Sequence, residues 1–99
     1  MKTRFSVEFL EHSTGVLRAI AHPVRLSIVD VIYKNERVTQ SELVEELEIE
    51  IAVLNHHLNI LLSKNILKQL GENGKVEYEL KDEIYYGILN ILTTTWIQL

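Results

Sequence analysis

Thr39 and Glu42 stand three residues apart at the head of an apolar-periodic run. This is the form of a capping box, in which each side chain satisfies the other residue's free backbone N–H. It predicts a helix start at Thr39, with Leu43, Val44 and Leu47 on the buried face. A second helix follows almost at once, from about Glu50 to Asn65. At 100° per residue Ile51, Leu54, Leu58, Leu61 and Leu62 fall on one side of it, and Ala52, Asn55, His56, Asn59, Ile60 and Ser63 on the other. Its start is poorly capped, since Glu50 is not a preferred N-cap residue. Two helices joined by so short a turn read as a helix-turn-helix over Thr39–Asn65.

Directly after it, Leu67–Leu70 and Val76–Leu80 flank Glu72-Asn73-Gly74-Lys75. An Asn-Gly pair between alternating segments is the strongest short hairpin signal, so a two-stranded hairpin is predicted over residues 66–81. Two helices precede the motif. In the first, from Phe5 to Ile20, the apolar residues Phe5, Phe9, Leu10, Val16, Leu17 and Ile20 recur at near-helical spacing, with a break conceivable at Gly15. The second starts at Pro23, a good first helical residue, and carries Leu26, Val29, Ile32 and Tyr33. A last helix, residues 82–97, begins near Asp82 and Glu83, acids that suit the positive end of a helix dipole. The fold class is therefore mainly α (α+β): a winged helix-turn-helix of five helices plus a two-stranded wing hairpin, one domain over residues 1–99.

The terminal helices are more apolar than a monomer of this size covers easily. Phe5, Phe9 and Leu10 on the first, and Tyr85, Ile88, Leu89, Leu92 and Trp96 on the last, leave little polar face. Such a surface marks a partner, and the commonest solution is a two-fold homodimer.

Charge sets a constraint in the opposite direction. Thr39–Asn65 holds five acids (Glu42, Glu45, Glu46, Glu48, Glu50) and one base (Lys64), so 1 − 5 gives −4. The whole chain, with ten bases and fourteen acids, is also −4, so everything outside the motif is neutral. The net charge sits on the element whose shape suits DNA, although nucleic-acid affinity comes mainly from Lys and Arg neutralising phosphates. There is no cysteine, which removes disulfides, thiolate nucleophiles and thiolate metal sites together. The N-terminus lacks an apolar signal-peptide core and Tyr85–Leu99 is too short to span a bilayer, so a cytoplasmic protein with no membrane partner is expected.

The order of elements and several local patterns resemble the ArsR/SmtB-type winged-helix transcriptional regulators. The resemblance is carried by Leu17–Val29 with its leucine–alanine, proline and arginine–leucine pattern, by Val38–Leu47, and by Asn55-His56-His57-Leu58. The Asn65-Ile66-Leu67 exit and the hairpin ending Val76–Leu80 continue it, so that it covers about Leu17 to Leu92. It implies a DNA-binding regulator, a repressor in function, dimerising through the terminal helices. Three departures stand out. His22 replaces the usual Asp before the proline. Glu50, Ile51, Ala52 and Val53 occupy the small polar start of the reading helix. The family's metal positions lack ligands, since Val38–Leu47 has no Cys and Asp82–Leu99 no His.

Candidate DNA contacts follow. Asn55, His56, Asn59 and Ser63 share one stripe of the fourth helix, and Asn pairs bidentately with adenine in the major groove for about 1–3 kcal/mol of discrimination. Lys64 is the motif's one base, and Lys75 at the hairpin tip could reach a phosphate, although Glu72, Glu77 and Glu79 crowd the same hairpin. Thr39, Gln40 and Ser41 open the third helix, where contacts to the backbone position a protein without reading sequence. His57 reads as a core histidine bonded to backbone. Arg25 reads as structural, pairing with an acid such as Asp30 or capping a neighbouring helix. No metal site, cofactor or catalytic constellation is expected. The alternative to a homodimer on a pseudo-palindromic duplex is a winged-helix protein–protein interaction module that has lost DNA binding. Exposed Ala52, Val53 and Ile60 ringed by glutamates would suit it.

Overall fold

The computed structural model describes residues 1–98. Five helices and three strands follow in the order α1 (Val7–Ile20), α2 (Pro23–Asn35), β1 (Val38–Thr39), α3 (Gln40–Leu47), α4 (Ile51–Ser63), β2 (Leu67–Glu72), β3 (Lys75–Leu80) and α5 (Ile84–Gln98). The winged helix-turn-helix is the observed architecture. The sheet has one strand more than the sequence suggests. β1 pairs antiparallel with β3, placing Val38 opposite Tyr78 and Thr39 opposite Glu77, so the order is β1-β3-β2. Two residues carry no periodicity of their own, and β1 exists only through its partner.

α2 is the axle of the fold. Ile28, Val29, Val31 and Ile32 are all buried, which covers more of the helix than one stripe. Leu43 of α3, Leu54, Leu58 and Leu61 of α4, and Ile66, Leu67 and Tyr78 of the hairpin close the core around it. Ala19 and Ile20 bring the end of α1 into the same cluster.

The local signals account for the element ends. Glu42 N–H donates to Thr39 Oγ1 at 3.2 Å and Thr39 N–H to Glu42 Oε1 at 3.4 Å, so the capping box is complete. No side chain caps α4 at Glu50. Asn73 and Gly74 both take positive φ, 54° and 78°, as a two-residue type I′ turn requires, and Glu72 pairs with Lys75 across it. α1 begins at Val7 rather than Phe5 because Ser6 caps it, its Oγ accepting from Phe9 N–H at 3.1 Å. It runs unbroken through Gly15. His22 also caps, its Nδ1 accepting from Val24 N–H at 3.1 Å, so an imidazole does the work of the missing Asp.

The outer faces of α1 and α5 stand away from this body. The radius of gyration is 14.9 Å, against about 13 Å for an ordinary domain of 100 residues. Tyr33 of α2 and Tyr86 of α5 stack with centroids 3.7 Å apart, which seats one side of α5. Tyr85, Ile88 and Leu89 are half-buried, but Leu92 is 51% and Trp96 77% exposed. On α1, Phe5 and Phe9 stack on each other at 4.8 Å and both are exposed, while Leu10 is half-buried. Among the described residues no helix is long and apolar enough to cross a membrane.

Candidate nucleic-acid interface

α3 and α4 present the helix-turn-helix, and Glu48 makes the corner between them in the left-handed region, φ 51° and ψ 47°. This conformation costs a residue with a Cβ roughly 1–2 kcal/mol. The core fixes α4 through Leu54, Leu58 and Leu61, which leaves His56 and Asn59 exposed on the opposite side. Asn55 is half-buried, because its Oδ1 accepts a hydrogen bond from Nε2 of Gln40 on α3. Two residues expected to face DNA independently are thus joined.

The remaining candidates divide. Thr39 is engaged in its capping box, its hydroxyl donating to Glu42 Oε1 at 3.0 Å, while Ser41 is exposed. Ser63 is exposed, and its hydroxyl returns to Ile60 C=O at 2.8 Å. Lys64 is the C-cap of α4, and its Nζ lies 3.6 Å from where a Cβ on Gly15 of α1 would stand. It therefore reaches back toward the terminal helix, at the far end of α4 from the turn. Lys75 sits exposed at the wing tip opposite Glu72. Elsewhere on the wing one acid, Glu79, is compensated. Glu79 accepts from Lys68 Nζ at 2.6 Å and Arg37 Nε at 2.9 Å. These two bonds, Lys68 first, hold its carboxyl below the usual carboxylate range.

Two predictions about the reading helix need correction. Ile51, placed on the buried side by its angle, is 54% exposed. As the first residue of α4 it lies beyond the end of the core, and a helical wheel gives direction but not depth. Ile60, taken as exposed, is half-buried and packs on the core.

Behind α4 lies a cluster that the sequence shows only in part. His57 is 7% exposed, as a core histidine should be, but its partner is a side chain rather than backbone. Arg25 Nη1 donates to His57 Nδ1 at 3.0 Å, Nε donates to Ala19 C=O, and Nη2 reaches Arg18 C=O at 3.4 Å. Arg25 thus caps the end of α1 and braces α4 in one move, while Asp30 pairs with Lys34 at 3.2 Å instead. The His22 ring lies 4.3 Å from that of His57. Burial, then the His22, Arg25 and His56 charges, push His57 below the ordinary histidine value of 6.5. Among the described residues, no group of three or more His, Cys, Asp or Glu is arranged to hold a metal ion.

The match of residues 20–69 to a helix-turn-helix domain family covers α2, both motif helices and the start of the wing. The chain belongs to this helix-turn-helix family. Its winged helix-turn-helix fold and part of its sequence are shared with transcriptional regulators. The transcriptional repressor PagR of Bacillus anthracis is 26% identical over 83 residues, 84% of this chain and 83% of that one. Its crystal structure superposes with a TM-score of 0.80 at 25% identity, covering 88% of this chain and 99% of PagR. NolR from Sinorhizobium fredii gives 0.82 at 24% identity over 96% and 97% of the two chains. A homodimeric winged helix-turn-helix DNA-binding domain from Mycobacterium bovis, a possible ArsR-family regulator, gives 0.84 at 14% identity over 98% and 89%. At such identities the last two speak for the fold alone.

Proposed function

We propose that the chain is a homodimeric transcriptional regulator that binds pseudo-palindromic duplex DNA, with α4 in the major groove and the β2–β3 hairpin as wing. The observation that carries this reading is the outward polar face of α4, His56 and Asn59 beside the joined Asn55 and Gln40, on a helix that the core fixes from behind. Family membership and the repressor PagR support the regulatory role. The exposed apolar faces of α1 and α5 support the homodimer, as does the homodimeric neighbour from Mycobacterium bovis. Two-fold symmetry then sets half-sites about one helical turn, ~34 Å, apart.

Charge shapes how such a complex is held. A dimer brings two motifs of −4, so 2 × −4 is −8 on its DNA face. Non-specific affinity is accordingly weak, and base contacts with helix dipoles do the holding. Selection of binding sites from random duplexes tests this. A single pseudo-palindromic sequence should emerge, and equally tight binding to arbitrary duplex at physiological salt would overturn the reading.

One observation favours a second reading, a protein–protein interaction module. Ile51 and Val53 are exposed at the start of α4 beside Glu48 and Glu50, a surface better suited to an apolar or basic protein than to phosphate. Failure to select any duplex, with the dimer intact, would favour it.

A further inference from the structure

We propose that Gln40 and Asn55 form one reading unit, two amides from successive helices bonded to each other, that together recognise a single base pair. The proposal rests on the DNA reading above and adds which residues share a base.

The pair is built into the fold rather than loose on its surface. Gln40 is the first residue of α3, next to the Thr39–Glu42 box and the β1–β3 pairing of Thr39 with Glu77. Asn55 lies in the second turn of α4 beside buried Leu54. The bond from Gln40 Nε2 to Asn55 Oδ1 spans 15 residues and bridges the two helices, and both side chains are half-buried. An amide held in this way has lost its rotamer freedom before any duplex arrives, which is the advantage of preorganisation.

The bond also divides the hydrogen-bonding groups. A lone Asn reads adenine with Oδ1 accepting from N6 and Nδ2 donating to N7. Here Asn55 Oδ1 is committed to Gln40. What remains is the Nδ2 donor of Asn55 and the Oε1 acceptor of Gln40. One donor from one helix and one acceptor from the other match the adenine edge. Guanine, with acceptors at both N7 and O6, would set a lone pair against Oε1. The unit therefore favours adenine over guanine at one position of each half-site.

The test is site selection from random duplexes by the full chain and by four variants, Gln40→Met, Asn55→Ala, the double variant and Gln40→Glu. Wild type should fix one A·T pair per half-site. Asn55→Ala should relax that same pair about tenfold, within the range of a bidentate contact, whereas Gln40→Met frees Asn55 Oδ1 to read adenine alone and should relax it less. The double variant should relax it no further than the stronger single one. Gln40→Glu removes the donor, so the Asn55 amide turns to donate to the carboxylate and presents Oδ1 outward. The preference should then move toward the cytosine N4 donor. A merely structural Gln40 would lower affinity for all sequences alike. If Gln40→Glu keeps the adenine preference that Asn55→Ala loses, the unit falls while the DNA reading stands. If wild type selects no sequence at all, both fall.

Discussion

The two ends of this molecule have opposite needs. In and just behind the helix-turn-helix, several polar groups find partners within one chain: Thr39 with Glu42, Gln40 with Asn55, Arg25 with His57. Along the terminal helices Phe9, Leu92 and Trp96 remain exposed. The motif's geometry is thus set within one chain. In the proposed dimer the terminal helices supply the association. A change in one region should leave the other's behaviour standing.

The largest effect belongs to the terminal face. Leu92→Asp with Trp96→Asp should weaken self-association on the order of a hundredfold or more, because buried Trp anchors dominate interfaces. Sedimentation equilibrium would measure it, and the far-UV circular dichroism should stay helical. Unfolding of the motif in that variant would show that the two regions are not separable. Arg25→Ala strikes the opposite end. It strips Ala19 and Arg18 of a carbonyl partner and leaves His57 buried without its donor. The expected cost is about 2 kcal/mol, a fall in Tm of roughly 10 °C in thermal melts.

A pH series sharpens the same cluster. The folded-state pKa of His57 is lowered, so near and below pH 6.5 the unfolded chain binds a proton that the folded chain refuses. Stability is complete above that value and declines as pH falls from it toward the folded pKa, by at most about 1.4 kcal/mol per pH unit for one proton. Urea unfolding of His57→Gln should show a shallower decline than wild type, and an unchanged slope would remove His57 from the account. The smallest effect is at the corner. Glu48→Gly relieves the left-handed conformation and should add about 0.5–1 kcal/mol, read as a higher urea midpoint without loss of dimer.

Much of this architecture was legible wherever one short pattern decides an element. Thr39 with Glu42 and Asn73 with Gly74 fix a helix start and a turn by local chemistry, and both stand where expected. What the sequence hid was pairing at a distance. Arg25 and His57 are 32 residues apart and Gln40 and Asn55 are 15 apart, so no spacing rule joins them. β1 is strand only because β3 lies beside it. Ser6 was hidden for another reason: its cap bonds Phe9 with no acid at that position to announce a box. At the site, the stripe of α4 was readable as direction, whereas the depth of Ile51 and the side-chain partner of His57 needed the packed core.

If base contacts on α4, and not charge, hold this chain on DNA, the salt dependence of binding will show it. Lys64 and Lys75 give at most four motif and wing-tip cations per dimer. At about −0.9 per phosphate neutralised, the slope of log K against log salt for the selected duplex should be about −4 or flatter. A random duplex should bind at least ~10³-fold more weakly. A steep slope near −10, shared by selected and random duplexes, would contradict the account.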